Sequence, residues 1–262
     1  MKKTFKTWFA ALLLAAPMSM AVAAGGHANY EKVDIDLGDQ VSLQRGAQIF
    51  TNYCLSCHSA TGMRFNRLQD IGLTEDEIKK NLMFTTDKVG DVMQTAMTPT
   101  EGKKWFGAAP PDLTLIARSR GADYLYAYLR GFYQDPTRPT GWNNTVFDKV
   151  GMPHPLWEQQ GVKAVELDKD GQPVWEKDEH GNLVPKLYWE STGLHSRRLP
   201  NGKVIEKEYD DYVRDLVNYM VYMGEPAQMQ RKQIGYIVLI FLLAVMLPLA
   251  YFLKKEYWKD VH

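Results

Sequence analysis

The sequence CLSCH occupies residues 54–58 and contains the only two cysteines of the 262-residue chain. A Cys-x-x-Cys-His string is the attachment pattern of a c-type haem. Each thiol can add to one vinyl group of the porphyrin, and the histidine that follows can bind the iron as its proximal ligand. In a helix, Cys54 and Cys57 lie on one face about one turn apart. The string therefore predicts one covalent haem c, attached through both cysteines, with His58 on the iron.

Three other roles for the cysteine pair are weaker. A thioredoxin-like dithiol, as in a periplasmic thiol–disulfide oxidoreductase, needs a βαβ surround, and no parallel-strand pattern is evident. A closed zinc site needs four Cys or His ligands, whereas the remaining histidines of the chain show no paired spacing. A disulfide that closes so short a loop contributes little stabilisation.

The first 24 residues have the pattern of a secretory signal peptide. Lysines precede an apolar run from Trp8 to Pro17, and small residues at 21–24 provide a cleavage site after Ala23 or Ala24. Removing residues 1–24 leaves 28 basic and 31 acidic residues, a net charge near −3. This balance, without basic blocks, argues against a nucleic-acid partner.

A second apolar segment lies near the C-terminus. Residues 234–253 contain no charge, and twenty helical residues extend ~30 Å, enough for one membrane crossing. Tyr251, Tyr257 and Trp258 suit the membrane interface. Together with the signal peptide, this span predicts a single-pass protein of a bacterial inner membrane. Residues 25–230 would form a periplasmic haem domain, and residues 254–262 a cytoplasmic tail.

The exported domain is predicted to be mainly α-helical, with a cytochrome c-like fold. Helices are expected at 41–53, 74–84, 113–118, 123–131 and 209–223. Ser42 is a possible cap of the first helix and Thr74 begins a capping box. Residues 90–107 have a loop-like composition. Between 157 and 207, turn signals such as Asp170-Gly171 separate short alternating runs, which predicts a β-hairpin insertion.

A haem that only transfers electrons needs a second axial ligand, and methionine in that position raises the reduction potential. Met220 fits a helical packing stripe and is assigned to the core. The remaining candidates are Met83, Met93, Met97 and Met152. Met152 lies in GMPHP at 151–155, a rigid, non-helical segment. His154 in the same segment competes with it, and bis-histidine ligation would lower the potential.

Further motifs follow the haem string in order. They are RG at 45–46, FNRL at 65–68, APPDL at 109–113, ARSR at 117–120, GMP at 151–153 and GEP at 224–226. With the C-terminal span, this ordered set resembles the cytochrome c1 family, the haem subunit of the ubiquinol–cytochrome c reductase (bc1) complex. The likeness covers most of the exported domain and the anchor.

The resemblance implies roles for particular residues. Cys54 and Cys57 would bind the haem covalently, with His58 and Met152 as the axial ligands. Arg120 would lie near a haem propionate, where a guanidinium can pair with a carboxylate. The haem pocket would also include Pro110, Pro111 and Tyr124.

The resemblance also implies an electron carrier that performs no bond chemistry of its own. It would receive one electron from a Rieske iron–sulfur protein, in a complex with cytochrome b, and pass it to a soluble or membrane-bound cytochrome c. Acidic runs at 31–39, 166–170, 176–179 and 206–211 can steer a basic partner, although such runs are more often solvated faces. A tethered monohaem cytochrome c of another chain and a five-coordinate haem sensor are the haem-containing alternatives.

Overall fold

The computed structural model describes residues 30–259. The predicted signal peptide therefore lies outside the described residues. The helices are α1 Gln40–Ile49, α2 Glu75–Asn81, α3 Pro99–Phe106, α4 Ile116–Arg120, α5 Ala122–Arg130, α6 Trp157–Gln160, α7 Lys207–Gly224, α8 Gln228–Phe241 and α9 Leu247–Tyr257. The strands are β1 Ala60–Arg64, β2 Val92–Met93, β3 Phe132–Gln134, β4 Trp142–Asn144, β5 Gly161–Val165, β6 Trp175–Lys177, β7 Leu183–Pro185, β8 Leu187–Thr192, β9 Arg197–Arg198 and β10 Val204–Ile205.

The core forms where α1 and α7 cross, two helices far apart in the sequence. Each presents a buried apolar face, with Ala47 and Phe50 on the α1 side and Leu216 and Tyr219 on α7. A buried carboxylate, Asp215, ties the helices together. It accepts a hydrogen bond of 2.7 Å from the Ser42 hydroxyl and forms a 2.5 Å ion pair with the Arg45 guanidinium. The helix that leads into CLSCH is thus fixed on α7.

The crossing leaves no room for a side chain at Gly46. A Cβ there would overlap the backbone oxygen of Asp215 and lie 2.6 Å from the Cβ of Tyr219. We therefore expect Gly46→Ala to lower the free energy of unfolding by about 1–3 kcal/mol, the usual cost of overpacking a core. Thermal unfolding of the purified full chain would measure the effect. Gly90→Ala, where no atom lies within 4 Å of the new methyl, is the control and should unfold as wild type does.

Most of the helices predicted from sequence are present, with shifted ends. The capping box at Thr74 and Glu77 is confirmed, although α2 ends at Asn81. The predicted cap of α1 is wrong: Asp39, not Ser42, accepts the hydrogen bond from the Ser42 amide. Ser42 is instead buried inside the helix, where its hydroxyl binds Asp215.

The interpretation of residues 90–107 as a loop is wrong. The segment contains β2 and the helix α3, which begins with a second capping box formed by Thr98 and Glu101. Pro99 occupies the first turn of α3, where its missing N–H costs nothing. Gly107, with a φ of 81°, ends the helix in the left-handed conformation.

The β-structure predicted between 157 and 207 is present, with the short helix α6 at its start. β6 and β7 form an antiparallel hairpin, and β9 pairs with β10. β5 and β8 join a four-stranded sheet of order β4-β3-β5-β8, in which β3 and β5 run parallel. The inserted strands are therefore attached to the haem domain through β3 rather than forming a separate unit.

The C-terminal apolar stretch lies in one continuous helix, Gln228–Tyr257. α8 passes through a single π-helical segment, Leu242–Met246, into α9. None of its residues is buried against the rest of the protein. Among residues 30–259 this is the helix long and apolar enough to cross a membrane, and it extends beyond the predicted span at both ends.

Candidate haem site

The CLSCH string lies at the C-terminal end of the first helix rather than within it. α1 continues into a π-helical turn, Phe50–Cys54, and hydrogen bonds from the amides of Cys57 and His58 to the Cys54 carbonyl extend the turn. Their lengths are 3.1 and 2.9 Å. Cys54 and Cys57 line the same cavity as His58. The turn therefore places the three side chains on one side of the chain, as haem attachment requires.

This cavity has a volume of about 390 Å³, within the range of small-molecule and cofactor sites. The residues predicted from sequence all line it: Cys54, Cys57, His58, Pro110, Pro111, Arg120, Tyr124 and Met152. The rest of the wall is mainly apolar. It includes residues that the sequence had not assigned to the haem pocket: Phe106, Leu113, Leu125, Tyr128, Leu129, Phe147, Val150, Leu216 and Met220.

The His58 imidazole is oriented by a backbone carbonyl. Its Nδ1 lies 2.7 Å from the backbone oxygen of Pro111. Because a carbonyl oxygen can only accept a hydrogen bond, Nδ1 is the donor. The proton is thus held on Nδ1, and the lone pair of Nε2 is left for a metal. Burial lowers the pKa of His58, against the opposing effects of the Pro111 bond and of Asp112. The ring is therefore neutral near pH 7, which is the form that binds iron.

The proline segment is fixed beside the haem string by Asp112. The Asp112 carboxylate accepts hydrogen bonds from the amide and hydroxyl of Thr61 at 2.8 and 2.9 Å, and from the Thr114 amide at 2.9 Å. The Leu113 amide donates to the Ser59 carbonyl at 2.8 Å. These contacts place the Pro111 carbonyl against His58. They also show that Asp112 caps the turn before α4, which begins three residues later than predicted, at Ile116.

Met152 lies on a segment that is anchored on both sides. The Tyr128 hydroxyl lies 3.6 Å from the Met152 sulfur. Two residues later, the ring of His154 stacks on Phe132 with 4.7 Å between centroids and an interplanar angle of 4°. A Cβ at Gly151 would come within 2.9 Å of the Phe106 carbonyl oxygen, so the backbone there passes close to α3. The thioether is thus presented to the cavity by a constrained backbone.

The candidate axial ligands have different surroundings. His154 is buried away from the cavity, its Nε2 lies 2.9 Å from Gln160 Oε1, and its Nδ1 accepts from the Leu156 amide. The sulfur of Met93 accepts from the Tyr219 hydroxyl in the core. Among the described methionines, the cavity is lined by Met152 and by Met220, which sequence periodicity had assigned to packing.

Two arginines near the cavity have different surroundings. Arg120 lines it, and its guanidinium carbon lies 5.6 Å from the centre of the Tyr124 ring. Arg118, two residues earlier in the same motif, instead pairs with Glu225 at 3.0 Å. Of these two arginines, Arg120 is therefore the one that lines the cavity.

The donor set fits a covalent haem c better than a redox dithiol. Burial, with a contribution from Cys57, raises the pKa of the Cys54 thiol to about 12. A reactive dithiol needs a lowered pKa, because the thiolate is the nucleophile. An apolar cavity with two thiols, one oriented imidazole, a thioether and an arginine matches the groups that hold a c-type haem.

A family model and a cytochrome c1 relative agree with this chemistry. The Cytochrome C1 family model matches residues 34–206 and 201–261. A cytochrome c1 of Allochromatium vinosum is 45% identical over 258 residues, covering 98% of this chain and 99% of the relative. A Nitrosomonas europaea protein named ammonia monooxygenase gamma subunit is 47% identical over 250 residues, covering 95% and 96%. A chain of a hyperthermophilic respiratory complex III has a TM-score of 0.43 and 14% identity, with 98% of each chain covered.

Proposed function

The chain belongs to the cytochrome c1 family, and from this premise we propose the roles of its residues, its partners and its orientation. The family predicted from sequence is confirmed. The chain is an electron-transfer protein with one covalently bound haem c. The observation that carries the residue assignments is the single cavity that gathers Cys54, Cys57, His58 and Met152.

When bound, the haem supplies a one-electron iron couple. Cys54 and Cys57 would hold it through thioether bonds, and the Nε2 atom of His58 would bind the iron. The Met152 sulfur would be the second protein ligand of the iron, which raises the reduction potential. Arg120 pairs with a propionate, and the apolar wall that includes Pro110 and Leu129 excludes water from the site.

The partners follow from the family. The protein receives one electron from a Rieske iron–sulfur protein, assembled with cytochrome b, and delivers it to a soluble or membrane-bound cytochrome c. Residues 234–253 of the C-terminal helix are surrounded by lipid, and acidic residues of the exported domain steer a basic acceptor. With His58 and Met152 both as ligands, the iron would have no open position for oxygen and would exchange electrons instead.

The name of the Nitrosomonas europaea relative suggests a second role, in ammonia oxidation. Oxygenation at this haem would need an open coordination position on the iron. The proposed pair His58 and Met152 leaves none, so we assign electron transfer to this chain.

Electron flow through the assembled complex tests this function. In membranes that contain the full chain, we expect added quinol to reduce its haem, and removal of the Rieske subunit to abolish that reduction. The reduced minus oxidised spectrum of the haem measures it. Membranes lacking only the cytochrome c acceptor are the control and should still show reduction. If quinol still reduced the haem in the absence of the Rieske subunit, the proposed electron donor would be wrong.

The orientation has its own test. We expect protease added to intact spheroplasts to release a fragment that carries the haem, because residues 25–230 lie in the periplasm. In inverted membrane vesicles the same domain should be protected. Haem staining of the membrane and soluble fractions measures the release. Protection in spheroplasts with release from inverted vesicles would reverse the proposed topology.

A further inference from the structure

Tyr128 is the polar neighbour of the Met152 sulfur. Its hydroxyl lies 3.6 Å from that atom, and both side chains line the cavity. A thioether has no hydrogen to donate, so the hydroxyl is the donor in this pair. The sulfur carries two lone pairs. One can therefore bind the iron while the other accepts the hydrogen bond.

We propose that Tyr128 is a positioning residue for the Met152 ligand and that its hydrogen bond raises the reduction potential of the haem. The inference rests on the proposed axial role of Met152. The O–H dipole withdraws electron density from the sulfur and makes it a weaker donor to iron. A weaker donor stabilises the oxidised iron less than a stronger one, so the equilibrium moves toward the reduced state.

The Tyr128 ring, and with it the hydroxyl, is held in place by a row of aromatic contacts. The Tyr128 ring stacks on Tyr124 with 5.9 Å between centroids and meets the edge of Phe132 at 5.2 Å. Phe132 in turn stacks on His154. Through Phe132 these rings join α5 to the segment that carries Met152. The donor and the acceptor are therefore fixed relative to each other by packing as well as by their own contact.

The backbone supports the same role. The carbonyl of Tyr128 accepts a hydrogen bond of 2.8 Å from the Asn144 side chain, which fixes the end of α5.

The test is Tyr128→Phe in the full-length, haem-loaded protein. An ordinary hydrogen bond shifts an equilibrium about fivefold. We expect the electron-exchange equilibrium with a fixed redox partner to move about fivefold toward oxidised haem, or about 40 mV at ~59 mV per tenfold. The near-infrared sulfur-to-iron band of the ferric protein reports ligation separately, and its shift or loss in the variant would show that the hydroxyl acts on the ligand.

Tyr126→Phe is the matched control. It removes one hydroxyl from the same helix, but Tyr126 is not among the residues lining the cavity, and Arg130 covers its ring at 4.5 Å. The proposal is overturned if Tyr128→Phe keeps the wild-type potential and band, or if both variants change the potential equally. If Tyr128→Phe fails to take up haem, 3-fluorotyrosine at position 128 gives the opposite test. The hydroxyl of 3-fluorotyrosine is a stronger hydrogen-bond donor, so it should raise the reduction potential of the haem. An unchanged or lowered potential would overturn the proposal.

The outcome is distinguishable from failure of the axial assignment itself. If Tyr128→Phe has no effect while Met152→Leu lowers the potential, only the role of Tyr128 is wrong. If Met152→Leu changes neither spectrum nor potential, the axial assignment is wrong and the role of Tyr128 is rejected with it.

Discussion

Replacing Cys54 and Cys57 together by alanine should eliminate covalent haem from the protein. The two thiols are the only cysteines of the chain, and both reach the cavity that contains His58. Without them no thioether bond can form, so any haem that binds will be released on denaturation. The mass of the denatured chain and haem staining after denaturing electrophoresis measure the result. We expect the wild type to retain one haem and the double variant none.

Ser56→Ala is the control for this pair of substitutions. Ser56 lies between the cysteines but is exposed and does not line the cavity. Its removal should leave haem attachment at the wild-type level. Covalent haem in the double variant would contradict the attachment sites. A wild-type chain with two titratable thiols and no haem would instead support the dithiol interpretation.

Met152→Leu should convert the haem from a closed electron carrier into a ligand-binding centre. Leucine fills similar space without a donor atom, so the iron loses its second protein ligand. Axial ligands tune haem potentials over ~0.8 V, and we expect the potential to fall by on the order of 0.2 V. Carbon monoxide should bind the reduced variant but not the reduced wild type. Redox titration and the spectrum under carbon monoxide measure the two effects.

Met220→Leu is the control that the structure requires. Met220 is the other described methionine that lines the cavity, and it is buried on α7 between residues that pack on α1. We expect its substitution to leave the potential near the wild-type value and to admit no carbon monoxide. If Met220→Leu instead lowers the potential and admits carbon monoxide while Met152→Leu does neither, the sixth ligand is Met220 and the assignment of Met152 is wrong.

The haem string could be recognised from sequence because its chemistry lies in five consecutive residues. The capping box at Thr74 was also evident, since its two partners are three residues apart. α3 was missed although Thr98 and Glu101 have the same spacing, because glycines on both sides suggested a loop. A capping box followed by proline at the first helical position is the signal that would have found it.

Contacts between distant segments could not be predicted in this way. The bond between Ser42 and Asp215 joins residues 173 positions apart, and no local pattern indicates it. The same is true of the parallel pairing of β3 with β5. The helical spacing of apolar residues correctly predicted the buried face of α7. It could not show that Met220 on that face also reaches the cavity. Tyr124 and Tyr128 lie four residues apart on α5, a spacing that would have indicated an aromatic wall on one face of that helix.

The central claim is that one covalent haem lies between the imidazole of His58 and the thioether of Met152. Near-infrared magnetic circular dichroism of the oxidised, full-length wild type tests it most directly, because the position of the charge-transfer band identifies the axial pair. We predict the band of a low-spin His/Met iron. A bis-histidine band, or the spectrum of a high-spin five-coordinate iron, would contradict the account.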